Sequence, residues 1–293
     1  MPVNYNRIVS DNGSGYVKLG YGGDMFPRHV IPSIIGRPML RASQKIGDQE
    51  IKELMVGDEA APLRAYLEIS YPLKEGRIHN WDDMEHLWNY SFHTKLGLAE
   101  DKSDKQILLT EPALNPTKNR EKMGEVMFEK FSFGGVAFEF QALLTLMAEG
   151  NTTGAVLDSG DGVSHVIPVY EGIVQVDNIR RLNIAGRHVT EYLIKLLMLR
   201  GYAFNSSADF EMIREIKEEM CYMSINIKKE RKMAQDTTVV DKEYKLPSGE
   251  TIIIGRERFE APEILMNPSL IEDEADDMAT MIYNSIVGCP MDI

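Results

Sequence analysis

Two short segments carry residue types from which chemistry can be built: Asp11-Asn12-Gly13-Ser14-Gly15 and Asp158-Ser159-Gly160-Asp161-Gly162. Each opens with a carboxylate and places glycine at alternate positions of a tight turn. Glycine there lets backbone N–H groups converge on an anion with no Cβ in the way. Ser14 adds a hydroxyl donor, and Lys18, an even number of positions further along an extended strand, can project its cation to the same face. One such turn can hold a phosphate; two opposed turns can clamp a polyphosphate. An aspartate so close to phosphate makes sense as a ligand, direct or through water, of a divalent cation on that phosphate. The predicted ligand is therefore ATP with Mg2+, with Asp11 and Asp158 at the cation. A pair of structural Asp-Gly turns is the plainer reading; the duplication, Lys18 and the flanking strands weigh against it.

The elements that must position these turns are short strands. An apolar segment ending at Ile8 and Val9 precedes the first turn and an alternating segment, 16–21, follows it; 155–157 and 163–170 flank the second. Strand, glycine turn, strand is a hairpin signature. Its return after a domain's length of chain predicts an α/β fold of two related lobes facing one another, with a boundary near 150–153. Asn80 is a good N-cap for a helix over 81–90, with Asp82 and Asp83 at its positive end and Trp81, Met84 and Trp88 on one face. Apolar periodicity predicts further helices over 119–131, 140–148, 189–200 and 209–223, a strand over 106–110, and a helical segment from 263. A hairpin over 237–246 and 251–254 is expected to set Tyr244 and Leu246 against Ile252 and Ile254.

Composition narrows the function classes. The 293 residues are 43% hydrophobic and 26% charged, as in a globular protein rather than a disordered chain. No apolar run is long enough for a membrane span, and the first ten residues do not read as a secretory signal. Two cysteines, Cys221 and Cys289, make neither a disulfide framework nor a metal site, so a reduced intracellular setting is expected. A formal charge of −13 disfavours nucleic acid and anionic membrane as partners. The basic cluster Lys228, Lys229, Arg231 and Lys232, interrupted by Glu230, and the acidic run from Glu272 to Asp277 both read as solvated faces.

The segment from Asp11 to Tyr21, with Asp158 to Val163, resembles the two phosphate loops of the actin superfamily. The likeness continues through Val56 to Ala60, Tyr71-Pro72, Asn80 to Met84, Leu108 to Glu111, Asn119 to Lys122, Ala185 to Arg187 and Glu257 to Phe259, so it spans essentially the whole chain. The stretch from Ile46 to Val56, and Glu75 where conventional actin carries a histidine, resemble the actin-related branch more than actin itself. The resemblance implies an actin-like ATPase fold with a nucleotide cleft between its lobes, 1–149 (small insert about 34–66) and 150–293 (insert about 186–272). It implies that Asp11, Gly13, Ser14, Gly15 and Lys18 hold the β- and γ-phosphates. Asp158, Gly160, Asp161, Gly162 and Val163 would close on them, with Asp11 and Asp158 around the water shell of Mg2+. Gly186 would approach the nucleotide by its backbone, and Arg214, Lys217 and Glu218 would contact base and ribose. Gln141 and His165 match the positions that arrange the attacking water in actin-type hydrolysis.

The expected partners are actin-related protein 3 with the other subunits of a filament-branching complex, actin, and nucleation-promoting factors. The setting would be the cytoplasmic cytoskeleton, with slow Mg-ATP hydrolysis secondary to a structural role. A conventional filament-forming actin and, further off, a small-molecule kinase of the same superfamily are the competing readings. The sequence departs from the family pattern Leu-Asp-x-Ala-Gly-Arg-Asp at Asn183 and His188, and carries Met147 where a tyrosine is usual. The family pattern runs on past Ile293, so an incomplete second lobe, poorly stable in isolation, is expected.

Overall fold

The computed structural model describes residues 4–39, 45–46, 49–50, 52–204, 207–246 and 249–290. The chain divides into two units, the described residues within Met1–Arg181 and Asn284–Ile293, and those within Leu182–Tyr283. Both glycine turns lie in the first unit, and the expected boundary between residues 149 and 150 falls inside it.

The first unit is organised on a five-stranded sheet. Strands β1 (Asn4–Asn12), β2 (Tyr16–Gly22), β3 (His29–Pro32), β4 (Lys102–Glu111) and β5 (Phe133–Phe140) lie in the order β5-β4-β1-β2-β3. β1 runs parallel to β4, and β4 parallel to β5, while β1, β2 and β3 follow one another antiparallel. Parallel neighbours need crossovers. Helix α1 (Trp81–Asn89), continued by a π-helical segment Tyr90–Lys95, lies between β3 and β4 in sequence, and α2 (Thr117–Glu129) joins β4 to β5. The Asn80 side chain accepts the Asp83 N–H, so the predicted cap forms. Trp88, Met84 and Leu87 are buried against Ile8, Leu19, Ile107 and Met127, and Phe92 packs edge-on against Phe131 and Phe133. The strand β5 was not anticipated, because Phe133 to Phe140 contains two adjacent glycines and little alternation.

Helix α3 (Gln141–Ala148) leads into a second sheet, in which β6 (Gly154–Ser159), β7 (Ser164–Tyr170) and β8 (Ile173–Val174) pair in succession. Ala142, Leu143 and Leu146 pack with Ile167 and Val169 to fix α3 against it. Residues Ile35–Pro38, Met55–Val56 and Leu67–Ser70 form a small separate sheet. Residues 47, 48 and 51 of the actin-related-like stretch from Ile46 lie outside the described residues.

In the second unit, α4 (Gly186–Leu199) and α5 (Ser207–Met220) bury Leu193, Leu197, Ile213 and Ile216 together with Phe259 and Ile264. The segment from Pro262 to Leu265 is a 3-10 turn rather than the start of a longer helix. The hairpin is shorter than expected, Lys242–Lys245 with Thr251–Ile254, and its register sets Tyr244 opposite Ile252 but Lys242, not Leu246, opposite Ile254. Residues 247 and 248 of its turn lie outside the described residues. The basic cluster sits on a helix that was not predicted, α6 (Ile227–Asp236), which has no buried residue. Asn226 caps it through the Lys229 N–H, and Glu230 and Arg231 tether it through Tyr222 and Glu260.

Candidate functional site

The two glycine turns are one structure built twice. In the first, Asp11 pairs with Lys18 and Asn12 with Val17, and the Gly13 N–H donates to the Tyr16 carbonyl at 3.1 Å. In the second, Asp158 pairs with His165 and Ser159 with Ser164, and the Gly160 N–H donates to the Val163 carbonyl at 3.0 Å. Lys18 and His165 are therefore equivalent places in the repeat, as are Ser14 and Asp161. The N–H groups of Ser14, Gly15 and Gly162 donate to nothing among the described residues. The turns also touch: a Cβ at Gly162 would lie 2.8 Å from Ser14 Oγ, and one at Gly15 would lie 3.0 Å from the Asp161 Cβ. Side chains are excluded from the place where these backbone donors gather, which suits an anion.

The parallel strands bring further groups to the first turn. One residue beyond the paired Ser10 and Leu109 come Asp11 and Thr110, and Gln141 follows directly on the end of β5. Asp11, Thr110 and Gln141 thus stand at the carboxyl ends of three adjacent strands, where open α/β sheets place their ligands. Gln141 Nε2 donates to Asp11 Oδ1 at 2.8 Å, the Thr110 hydroxyl donates to the same oxygen at 2.5 Å, and Lys18 Nζ reaches Asp11 Oδ2 at 3.3 Å. Asn12 is held from behind, its Oδ1 accepting from Trp88 Nε1 at 3.1 Å and from Ser10 Oγ at 3.1 Å.

On the second turn, burial raises the Asp158 carboxyl above the ordinary aspartate value, and the neighbouring Asp11 carboxylate raises it further against the opposing pull of Lys18. Two carboxylates that repel each other in this way are a natural place for a cation. His165 is buried, 2% exposed, and its Nε2 has no hydrogen-bond partner among the described residues. Burial first, then the Arg181 and Arg77 guanidiniums, hold its pKa down to about 4. The imidazole is neutral at pH 7, so it can orient water through a lone pair or an N–H without carrying charge. Glu75 and Gly76, both at positive φ, form the two-residue turn between Leu73–Lys74 and Arg77–Ile78. The Gly76 N–H donates to Ser14 Oγ at 2.9 Å, and Arg181 Nη2 donates to the Glu75 carbonyl at 2.8 Å.

The predicted residues Gly186, Arg214, Lys217 and Glu218 belong to the second unit and form a group of their own. Lys217 Nζ donates to the Gly186 carbonyl at 3.0 Å, while Arg214 bonds to Glu211 and, at 3.3 Å, to Glu218. His188 has a local use in place of the usual aspartate: its Nδ1 accepts the Ala185 N–H at 3.2 Å, a reach-back bond at the start of α4.

No group of three or more His, Cys, Asp or Glu among the described residues could hold a metal by itself. Asp11 and Asp158 could hold Mg2+ only together with waters and a bound phosphate, which is how that ion is usually kept. Thr110, Arg77 and Arg181 were missed from the sequence. Only Thr110 offered a signal, as the end of an apolar strand whose carboxyl end faces the first turn. No helix among the described residues is long and apolar enough to cross a membrane.

Sequence comparison with known proteins covers nearly the whole chain. The family model described as Actin matches residues 4–293. The chain is 54% identical over 293 residues to actin-related protein 2 of Drosophila melanogaster, covering 98% of this chain and 73% of that protein. It is 50% identical to actin-related protein 2 of Arabidopsis thaliana, with 99% and 74% covered, and 51% identical to that of Acanthamoeba castellanii, with 97% and 73% covered. A repeated phosphate-type turn on an α/β scaffold, joined to a match that begins in the first strand and continues to residue 293, places this chain in the actin family.

Proposed function

We propose that this chain binds Mg-ATP at its paired glycine turns and fills the actin-related protein 2 position of a complex that nucleates branched actin filaments. Actin-family proteins bind nucleotide with a divalent cation, and the relatives at 50–54% identity carry the name actin-related protein 2. The observation that carries the ATP reading is the repeated turn itself, with its matched Gly13 and Gly160 hydrogen bonds and its N–H groups that have no acceptor among the described residues.

In this reading the Asp11, Gly13, Ser14, Gly15 and Lys18 turn receives the β- and γ-phosphates from one side. The turn of Asp158, Gly160, Asp161, Gly162 and Val163 receives them from the other. When bound, Mg2+ neutralises phosphate charge; Asp11 and Asp158 hold its waters. Gly186, Arg214, Lys217 and Glu218 take the base and ribose, with Lys217 already docked on the Gly186 carbonyl. Gln141 and neutral His165 orient a water for slow hydrolysis, in which positioning matters more than a strong base. ATP then acts as a conformational switch, its hydrolysis removing contacts that favour one state of the chain. Actin-related protein 3, the other complex subunits, actin and nucleation-promoting factors are the proposed partners, in the cytoplasmic cytoskeleton.

Two measurements test the reading. In Mg-ATP binding followed by single-turnover hydrolysis, Gln141→Ala is expected to leave affinity within about threefold and to slow hydrolysis by about tenfold to a hundredfold. A variant hydrolysing at the wild-type rate removes Gln141 from that role. Affinity isolation from cell extract with quantitative mass spectrometry tests the assembly. Equimolar recovery with actin-related protein 3 supports it, and recovery with actin alone favours a filament protein instead.

A further inference from the structure

Thr110 has no part in the sequence-derived site, yet it is the residue on which the first turn's polar network closes. It is buried at the carboxyl end of β4, with its hydroxyl 2.5 Å from Asp11 Oδ1. The same oxygen takes Gln141 Nε2 at 2.8 Å, and that nitrogen also lies 3.4 Å from Thr110 Oγ1. The chemistry of these groups leaves one arrangement. An ionised carboxylate only accepts, so both the hydroxyl proton and the amide N–H must point at Asp11. The threonine donates its only proton there, and its lone pairs face the same Gln141 N–H that Asp11 accepts, shared between Oδ1 at 2.8 Å and Oγ1 at 3.4 Å. The Gln141 amide is thereby held nitrogen-inward, and its Oε1, an acceptor, is the end left for a water. Two donors on Oδ1 also fix the plane of the carboxylate, which directs Oδ2 toward Lys18 at 3.3 Å.

We infer that Thr110 is a positioning residue, whose hydroxyl sets both the Asp11 carboxylate plane and the direction in which Gln141 presents its amide oxygen to the attacking water. The inference rests on the Mg-ATP reading for its catalytic consequence, but the orientation of Gln141 exists without nucleotide. Valine in place of threonine keeps the branched shape that suits a buried strand and removes only the hydroxyl. Serine restores the hydroxyl without the methyl group.

The test uses the full chain as wild type, Thr110→Val, Thr110→Ser and Thr110→Val with Gln141→Ala. Misplacement of a water-orienting group by a fraction of an ångström to an ångström costs up to about a hundredfold in rate. Thr110→Val is therefore expected to slow single-turnover hydrolysis about tenfold to a hundredfold, with Mg-ATP affinity within about threefold, Thr110→Ser near wild type, and the double variant no slower than Gln141→Ala. The second readout is the Gln141 side-chain amide resonance, assigned by its loss in Gln141→Ala. In the nucleotide-free wild type one of its two protons should be protected from exchange, with that protection reduced and its chemical shift moved in Thr110→Val and both regained in Thr110→Ser. Wild-type turnover in Thr110→Val, or an unchanged Gln141 resonance in that variant, overturns the inference. If the wild type fails to bind Mg-ATP, the proposed function fails, while the resonance still decides whether Thr110 positions Gln141. If it binds without measurable turnover, the resonance again decides.

Discussion

Replacing His165 with glutamine should flatten the acid dependence of this protein's stability between pH 7 and pH 5. The buried imidazole stays neutral down to a pKa of about 4, whereas an unfolded chain's histidine protonates near 6.5. Between those values the unfolded chain binds a proton that the native chain refuses, so stability falls as pH falls through this window. At one proton of difference the slope is about 1.4 kcal/mol per pH unit, giving a loss of about 2 kcal/mol at pH 5 and about 3 kcal/mol once pH 4 is passed. Asp158 works in the opposite direction, because its raised pKa favours the protonated native form, but it is present in both proteins and so leaves their difference unchanged. The assay is urea unfolding followed by tryptophan fluorescence at pH 7.5, 6.0 and 5.0, for wild type and His165→Gln. The difference between the two should shift in favour of the variant by about 2 kcal/mol from pH 7.5 to 5.0. The reasoning is refuted if the two stability curves run parallel, or if the His165 ring proton titrates near 6.5 in the native protein.

Gly162→Ala should destabilise the first unit by about 1–3 kcal/mol and weaken Mg-ATP binding, because the added Cβ meets Ser14 Oγ at 2.8 Å and the Glu75 backbone nitrogen at 3.2 Å. Unfolding and nucleotide titrations would check it, and wild-type values for both would show that the turns are not packed as described. Arg120→Ala should cost about 1–3 kcal/mol, since it removes the charged partner of the buried Glu111 carboxylate, whose Oε2 accepts from Arg120 Nε at 3.1 Å and keeps only Asn115 at 3.0 Å. A loss under 1 kcal/mol in denaturant unfolding would contradict that. Lys102 is fully buried, bonded to the Glu100 carbonyl at 3.0 Å and facing His93 Nε2 at 3.4 Å, and burial lowers its pKa. The unfolded lysine therefore holds its proton to higher pH than the native one, so stability should rise with pH on the alkaline side as pH approaches 10.5. Lys102→Met should abolish that rise, and an identical alkaline profile would count against a strained ammonium.

The chemistry of each turn was written locally. Asp, x, Gly, x, Gly between two short strands favours a hairpin, because turn chemistry and strand alternation act over a handful of residues. The Asn80 cap, the Trp88 face and the second turn at Asp158 were legible for the same reason. The α6 helix was not, because it buries nothing and so leaves no apolar period to read. Nor could the sequence order the strands. Asp11 meets Thr110 and Gln141 across 99 and 130 residues, and it does so only because β4 lies between β1 and β5 with all three running parallel. Burial is likewise a property of the folded whole. His165 on a strand and Lys102 at a strand's start look like ordinary titrating groups until tertiary packing removes water from around them. The sequence by itself determined the two repeated glycine turns and the groups they carry; the strand order and the burial decided which of those groups meet and which proton each can hold.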